Sequence, residues 1–168
     1  MPRRLVLAAL LMALALPVAA GARVFDDTAK LKPNGLGPLK TGMTADEVAH
    51  VLGRGVRVRY FPESECGTAR LDGRNYMLFT GDHLRRVTLA SGQYATTRGV
   101  RVGDPQDAIR DAYGADARRS PNVYVPDGYY FTVSYGRLKR IRFETDGSAV
   151  TSIHAGRTPE VDYVEGCA

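Results

Sequence analysis

The sequence contains no tryptophan, only three histidines and only two cysteines, and these small numbers exclude several classes of site. No Cys-x-x-Cys and no His-x-x-x-His spacing occurs, so the usual signature of a zinc site is missing. The Gly-x-Ser-x-Gly and His-Glu-x-x-His motifs of common hydrolases are missing as well. We interpret His50, His83 and His154 as surface residues. The sequence therefore predicts no catalytic residue, no metal site and no cofactor.

Long hydrophobic runs are scarce, and the one that occurs is at the amino terminus. Two arginines precede an unbroken apolar run from Leu5 to Leu16, and Pro17 and small residues follow. A membrane span needs ~20 apolar residues, and this run is shorter. The pattern is typical of a secretory signal at 1–22, cleaved after Ala20 or Ala22. We expect a periplasmic or secreted protein with no transmembrane segment after cleavage.

Basic residues are in small excess over acidic residues. Removal of the signal, with its two arginines, leaves 21 basic and 18 acidic residues, a net charge of +3. This excess is too small to indicate nucleic acid as a partner. The remaining length suits one domain or two small lobes with a real core.

The two cysteines, Cys66 and Cys167, form an even pair in a chain expected to reach an oxidising compartment. This favours a disulfide that joins the tail at 157–168 to the first half of the chain. Two free thiols or a metal site are the alternatives.

Acidic residues flank both cysteines, so a disulfide would bring them together. They are Glu63, Glu65, Glu160, Asp162 and Glu165. The cluster suits a hard cation such as calcium, but its spacing matches no calcium loop, which favours a solvated surface as the interpretation.

The sequence contains an internal repeat. Residues 35–53 resemble 97–114 at a shift of 61 positions, and 77–92 resemble 141–156 at a shift of 64. In the first block, Gly42 matches Gly103 and Gly53 matches Gly114. Two matched blocks in the same order predict a duplicated unit of about 60 residues, too few copies for a stacked array.

Each unit is predicted to begin with a short helix. At 44–52, Thr44 and Glu47 have the spacing of a capping box, and Gly53 suits the carboxyl-terminal stop. At 105–113, Asp104 is the expected cap and Pro105 the first helical residue.

Alternating apolar and polar residues predict strands after each helix, as in 56–60 and 129–135. The predicted fold class is therefore α+β, with two repeated units that each consist of a short helix followed by a small antiparallel β-sheet. The units are 35–96 and 97–156. An extended lead-in at 23–34 precedes them, and the tail at 157–168 follows them.

The Gly-Met-Thr-x-x-Glu-Val start and the Leu-Gly end of the first helix carry a resemblance, together with the sheet pattern, the tandem arrangement and the signal. The chain resembles the family of small bacterial envelope modules that includes the assembly lipoprotein BamE (SmpA/OmlA) and the tandem β-lactamase inhibitory protein (BLIP). The resemblance implies a binding role in the envelope. The lipid-attachment cysteine of the lipoproteins is absent here, and no site residue carries over.

Arginines on predicted strands are the candidate binding face. Alternation predicts that they point away from the core, together with one of several tyrosines in the second unit. The set is Arg57, Arg59, Arg86, Arg140, Arg142 and Tyr130. Arginine suits bidentate contact with carboxylate or phosphate. The alternative is that these residues are simply the polar side of half-buried strands.

These observations together predict a non-enzymatic binding module of the bacterial envelope, either inhibitor-like or an accessory factor. The partner would be an envelope protein or an anionic envelope component. The alternatives are a small periplasmic hydrolase, whose site forms no sequence motif, and a purely structural envelope protein. An enzyme should have a concave pocket with convergent titratable groups, whereas a binding module should have a broad, shallow face.

Overall fold

The computed structural model describes residues 28–167, and the predicted signal at 1–22 lies outside the described residues. The strands are β1 (Lys30–Lys32), β2 (Gly35–Leu36), β3 (Arg59–Tyr60), β4 (Cys66–Asp72), β5 (Asn75–Thr80), β6 (His83–Leu89), β7 (Ala95–Thr96), β8 (Arg118–Pro121), β9 (Tyr129–Tyr135), β10 (Lys139–Thr145) and β11 (Val150–Arg157). The helices are α1 (Ala45–Leu52) and α2 (Asp107–Tyr113), and short 3₁₀ helices lie at Gly114–Asp116 and Glu160–Asp162.

The prediction of two units with separate small sheets is wrong. Eight strands form one antiparallel sheet in the order β3-β4-β5-β6-β11-β10-β9-β8. Strand residues far outnumber helical residues, so the fold is mostly β rather than a balanced α+β arrangement.

The physical reason is the pairing of a strand of the first predicted unit with a strand of the second. β6 and β11 lie side by side, with Val87 opposite Ala155 and Leu89 opposite Ile153. An open edge leaves a row of main-chain N–H and C=O groups unpaired, and the pairing removes two such edges. Gly156 permits the close approach, because a Cβ atom there would lie 2.2 Å from the carbonyl oxygen of Arg85.

Both predicted helices are present. The capping box of α1 is confirmed: the Thr44 side chain accepts from the Glu47 N–H, and the Glu47 carboxylate accepts from the Thr44 N–H. Gly53 ends this helix in the left-handed conformation. The predicted cap of α2 is wrong, since the Asp104 carboxylate accepts instead from the main-chain N–H of Arg101. α2 therefore starts later, at Asp107, without a side-chain cap.

The main hydrophobic core lies between the two helices and one face of the large sheet, which we call the first face. Val48 of α1 and Ile109 of α2 are fully buried there against Met77, Phe79 and Phe143 of the strands. A small sheet in the order β2-β1-β7 adds Leu31 and Leu36 to this core, so part of the predicted lead-in is a strand.

The opposite side of the large sheet, which we call the second face, carries polar residues and a second buried layer. Leu78, Arg86 and Thr88 are fully or almost fully buried on it. None of the three belongs to the main hydrophobic cluster. The chain after β11 folds over this face, which places the buried layer between the sheet and the tail.

Candidate functional site

The arginines predicted to form one solvent-facing surface separate into two groups. Arg57 and Arg59 are exposed at the β3 edge of the sheet, as expected. Arg140 and Arg142 are half-buried near its centre, and Arg86 is fully buried. The expectation that Arg86 faces solvent is therefore wrong, because alternation identified its face of the sheet but not the tail that covers that face.

The first group lines an open groove at the edge of the second face, which we call the edge groove. Its volume is about 740 Å³. Arg59 lies opposite Thr68, and Arg70 lies opposite Tyr76, so these side chains share one face across β3, β4 and β5. The lining residues are Arg57, Arg59, Thr68, Ala69, Arg70, Gly73, Arg74, Asn75, Tyr76 and Ala90.

The edge groove is strongly positive. Four arginines line it and no carboxylate does. Within residues 28–167, none of the four forms an ion pair. The adjacent carboxylate, Asp72, accepts hydrogen bonds from Asn75 and from the hydroxyl of Tyr94 instead, at 2.7 and 2.5 Å. Four like charges around a concave surface raise the local concentration of anions.

The second group lies beneath the last residues of the chain, Glu160–Cys167, which we call the C-terminal segment. Nη1 of Arg86 donates to the carbonyl oxygens of Glu160 and Tyr163, at 3.1 and 2.7 Å. Nη1 of Arg142 donates to the carbonyl oxygen of Asp162 at 2.8 Å. The segment is thus held largely through its main chain.

Carboxylates of the C-terminal segment supply further contacts. Asp162 forms an ion pair with Arg140 and approaches Arg142 at 3.8 Å. Glu160, which is 7% exposed, accepts from the Thr80 hydroxyl at 3.1 Å and lies 3.6 Å from Nε of Arg85. The segment therefore places two negative charges over arginines of the sheet.

The predicted disulfide between Cys66 and Cys167 is confirmed. Their Cα atoms are 5.4 Å apart, and the bond joins β4 to the end of the C-terminal segment across 101 positions of sequence. A shallow depression of about 400 Å³ surrounds the bond, and Tyr124 and Tyr163 contribute to its lining. The hydroxyl of Tyr124 donates to Glu165 at 2.7 Å, so the loop after β8 also contacts the segment.

Tyr130 lies in the second group and is only 4% exposed. The Arg142 guanidinium carbon lies 3.8 Å from the centroid of its ring, close enough for a cation–π contact. Its hydroxyl donates to Asn122 at 2.9 Å, and burial raises its pKa. The side chain points away from the main core, as expected, but it is buried and therefore not available to a partner.

His154 has an environment that the sequence did not predict. We expected a surface histidine, but it is 4% exposed, at the centre of the second face. Nδ1 lies 2.9 Å from the Thr88 hydroxyl, and Nε2 lies 3.0 Å from the Glu144 carboxylate and 3.1 Å from the Ser152 hydroxyl. With Thr88 donating to Nδ1, the Nε2 proton points to Glu144 in the neutral tautomer.

The ionisation of this cluster follows from its burial. Desolvation lowers the pKa of His154, and the nearby positive charges of Arg86 and Arg142 act in the same direction. Burial alone would raise the pKa of Glu144, but the hydrogen bonds from His154 and Ser152 and the nearby charge of Arg142 outweigh it and hold that pKa below the usual value. The result is a neutral imidazole beside an ionised carboxylate.

The hydroxyl–histidine–carboxylate arrangement has the order of a nucleophilic relay, but Thr88 is 1% exposed. A substrate has no access to a hydroxyl that is buried to this extent. The cluster instead links β6, β10 and β11 through side-chain hydrogen bonds.

The acidic residues around the cysteines do not converge on one point. Glu160 and Asp162 contact arginines, Glu165 contacts Tyr124, and Glu63 and Glu65 are exposed. Throughout the described chain, no three His, Cys, Asp or Glu side chains are placed to share a metal ion.

The sequence analysis did not identify two of the arginines that line the edge groove, Arg70 and Arg74. Arg70 belongs to β4, whose small residues Gly67 and Ala69 weaken the strand pattern. The available signal was the alternation of Thr68 and Arg70 with Ala69 and Leu71. Arg74 lies in the turn between β4 and β5, where periodicity carries no information.

No helix between residues 28 and 167 is long and apolar enough to cross a membrane. Comparison with protein-family models, with curated proteins and with solved structures finds no match to this chain.

Proposed function

We propose that the mature chain is an exported, non-enzymatic binding module of the bacterial envelope that recognises an anionic partner through the edge groove. The observation that carries the proposal is the set of four exposed arginines, Arg57, Arg59, Arg70 and Arg74, around one groove without a lining carboxylate. The amino-terminal signal pattern and the resemblance to small envelope modules support the compartment.

The chemistry of the groove favours carboxylate or phosphate groups. A guanidinium offers paired N–H donors in a plane, which match the two oxygens of either group. Arg59 and Arg70 extend from paired strands, so their spacing is set by the rigid sheet rather than by a loop. Acidic proteins, lipid phosphates and peptidoglycan carboxylates are the envelope partners with this chemistry.

The hydrolase alternative has less support. Among residues 28–167, the cluster with a histidine between a hydroxyl and a carboxylate has its hydroxyl and its imidazole buried. The edge groove is open but holds arginines, which do not exchange protons near neutral pH. A binding role requires only an open groove with exposed arginines, which the edge groove provides.

Affinity capture tests this proposal. The chain from Arg23 onward is immobilised, exposed to periplasmic extract, lipid A vesicles and peptidoglycan fragments in separate arms, and eluted in steps of salt. A double variant, Arg57→Glu with Arg59→Glu, reverses charge in the groove. The matched control is Arg118→Glu with Arg137→Glu, because both arginines are exposed and lie outside the groove.

We expect a ligand in one arm that elutes with moderate salt, that the groove variant no longer binds, and that the control variant retains. Equal melting temperatures of the three proteins show that folding is unaffected. Retention by the groove variant at wild-type strength would contradict the proposal.

A further inference from the structure

The surface beneath the C-terminal segment is positively charged without that segment. Four arginines of the sheet contact the segment: Arg85, Arg86, Arg140 and Arg142. Glu144, two positions after Arg142 on β10, is a carboxylate of the same face and is hydrogen-bonded to His154. The Glu144 carboxylate lies 3.0 Å from Nε2 of His154, so its nearest partner is the histidine rather than an arginine. The segment adds two carboxylates and three main-chain carbonyl oxygens over these arginines.

The segment occupies this surface as a short acidic peptide would. Its contacts have the pattern acidic, apolar, acidic: Glu160 and Asp162 meet arginines, and Val161 between them is fully buried. Val161 lies outside the main hydrophobic cluster and belongs to the layer on the second face. The disulfide holds the far end of the segment, at Cys167.

The fit of the segment is incomplete. Arg86 is fully buried, yet its Nε and Nη2 atoms have no hydrogen-bond partner among residues 28–167, and it forms no ion pair there. Nε of Arg142 is likewise buried without a hydrogen-bond partner among the described residues. A buried charged donor without a partner is costly, so a ligand with additional acceptor oxygens would gain contacts that the segment leaves unmade.

We propose that the second face around Arg86 and Arg142 is a binding site for an acidic peptide segment of another protein, with a Glu-x-Asp spacing, and that the C-terminal segment is its built-in occupant. A partner binds by displacing this segment from the arginines. The site uses different arginines from the edge groove, so the two proposals succeed or fail separately.

A peptide-binding experiment on the full mature chain tests the site. The released variant combines Cys66→Ser, Cys167→Ser, Glu160→Gln and Asp162→Asn, which removes the tether and the two carboxylates of the segment that meet arginines. The probe is a fluorescent peptide with the sequence of residues 158–166, TPEVDYVEG, followed by anisotropy. The control peptide carries Glu160→Gln and Asp162→Asn.

The released variant is expected to bind the probe at least tenfold more tightly than the oxidised wild-type chain does. The same variant should bind the control peptide at least tenfold more weakly than it binds the probe. Addition of Arg142→Gln should abolish probe binding, whereas addition of Arg118→Gln should not. Equal binding of the two peptides, or equal binding by the released and wild-type chains, overturns the proposal.

Hydrogen exchange on the wild-type chain gives a second test that needs no substitution. After reduction of the disulfide, amides of residues 160–167 should exchange at least tenfold faster while those of β6, β10 and β11 stay protected. Loss of protection in the strands as well would identify the segment as a structural layer, and unchanged protection of the segment would show that it is not displaceable. Either result overturns the proposal.

Discussion

Nη1 of Arg86 donates a hydrogen bond of 2.7 Å to the main-chain carbonyl oxygen of Tyr163, 77 positions later in the chain. This bond joins the centre of the large sheet to the C-terminal segment. It also explains why an arginine on a strand is fully buried, since the segment covers it. The second face of the sheet therefore presents two different arginine surfaces, one open at its edge and one covered at its centre.

Replacement of Arg86 by an apolar residue of similar length tests the cost of burying this charge. Exchange of a buried, incompletely paired ion for a hydrophobic residue is often neutral or stabilising. We expect Arg86→Met to change the free energy of unfolding by less than about 1 kcal/mol, and Arg86→Ala to lower it by about 2–4 kcal/mol through the cavity it leaves. Urea unfolding measures both. A loss above about 3 kcal/mol in the methionine variant would show that the charge itself stabilises the fold.

Gly156 tests the junction of the two halves of the sheet. A Cβ atom there would lie 2.2 Å from the carbonyl oxygen of Arg85, so Gly156→Ala should lower the free energy of unfolding by about 1–3 kcal/mol. Gly55→Ala is the matched control, because its Cβ would meet no atom within 4 Å. If the chain formed two separate sheets, the two substitutions would be tolerated equally.

The capping box of α1 predicts a local stability effect. Removal of the Thr44 hydroxyl leaves a main-chain N–H of the first turn without its partner, so Thr44→Ala should lower the free energy of unfolding by about 1 kcal/mol. Thr97→Ala, at an exposed position outside both helices, should change it by less than about 0.5 kcal/mol. Thermal unfolding of the two variants provides the comparison, and an equal effect would argue against the cap.

The buried histidine predicts a loss of stability in mild acid. Burial lowers the pKa of His154 in the folded state, so below the ordinary histidine pKa of about 6.5 the unfolded chain takes up a proton that the folded chain does not. The contribution is complete above that pH and is lost as the pH falls from there toward the lowered pKa. Between pH 7.5 and pH 5.0 the free energy of unfolding should fall by up to about 2 kcal/mol from this group.

The substitution His154→Gln should remove most of that pH dependence, because glutamine can still donate to Glu144 but does not titrate. His83→Gln, at an exposed histidine, should leave it unchanged. Urea unfolding at the two pH values measures the difference. The assignment fails if both variants lose as much stability as the wild-type chain does. The depressed pKa of Glu144 adds its own loss at lower pH, below about 4.5.

Local signals in the sequence were enough to predict both helices and the disulfide. Thr44, Glu47 and Gly53 lie within one short segment, and their roles depend only on helix geometry. Cys66 and Cys167 form the one possible intramolecular pair, so connectivity needed no further information. Alternation also identified Phe131, Val133 and Ile141 as buried strand residues.

The union of the sheets could not be predicted, because alternation says which side of a strand faces a core and nothing about which strand lies next to it. β4 was missed since Gly67 and Ala69 stand at its core-facing positions. Gly67 is needed there, because a Cβ would come 2.8 Å from a methyl group of Val58. The environment of His154 depends on its pairing with Thr88 of β6, a contact between distant parts of the chain.

The central claim, that an anion binds in the edge groove, is tested most directly by NMR of the arginine side chains. The mature chain is titrated with hexaglutamate in one arm and with tripolyphosphate in another, and the Nε–Hε signals of all arginines are followed. We expect saturable shifts at Arg57, Arg59, Arg70 and Arg74 with at least one of the probes, and none at Arg118 or Arg137. Shifts of equal size at all exposed arginines, or none in the groove, would contradict it.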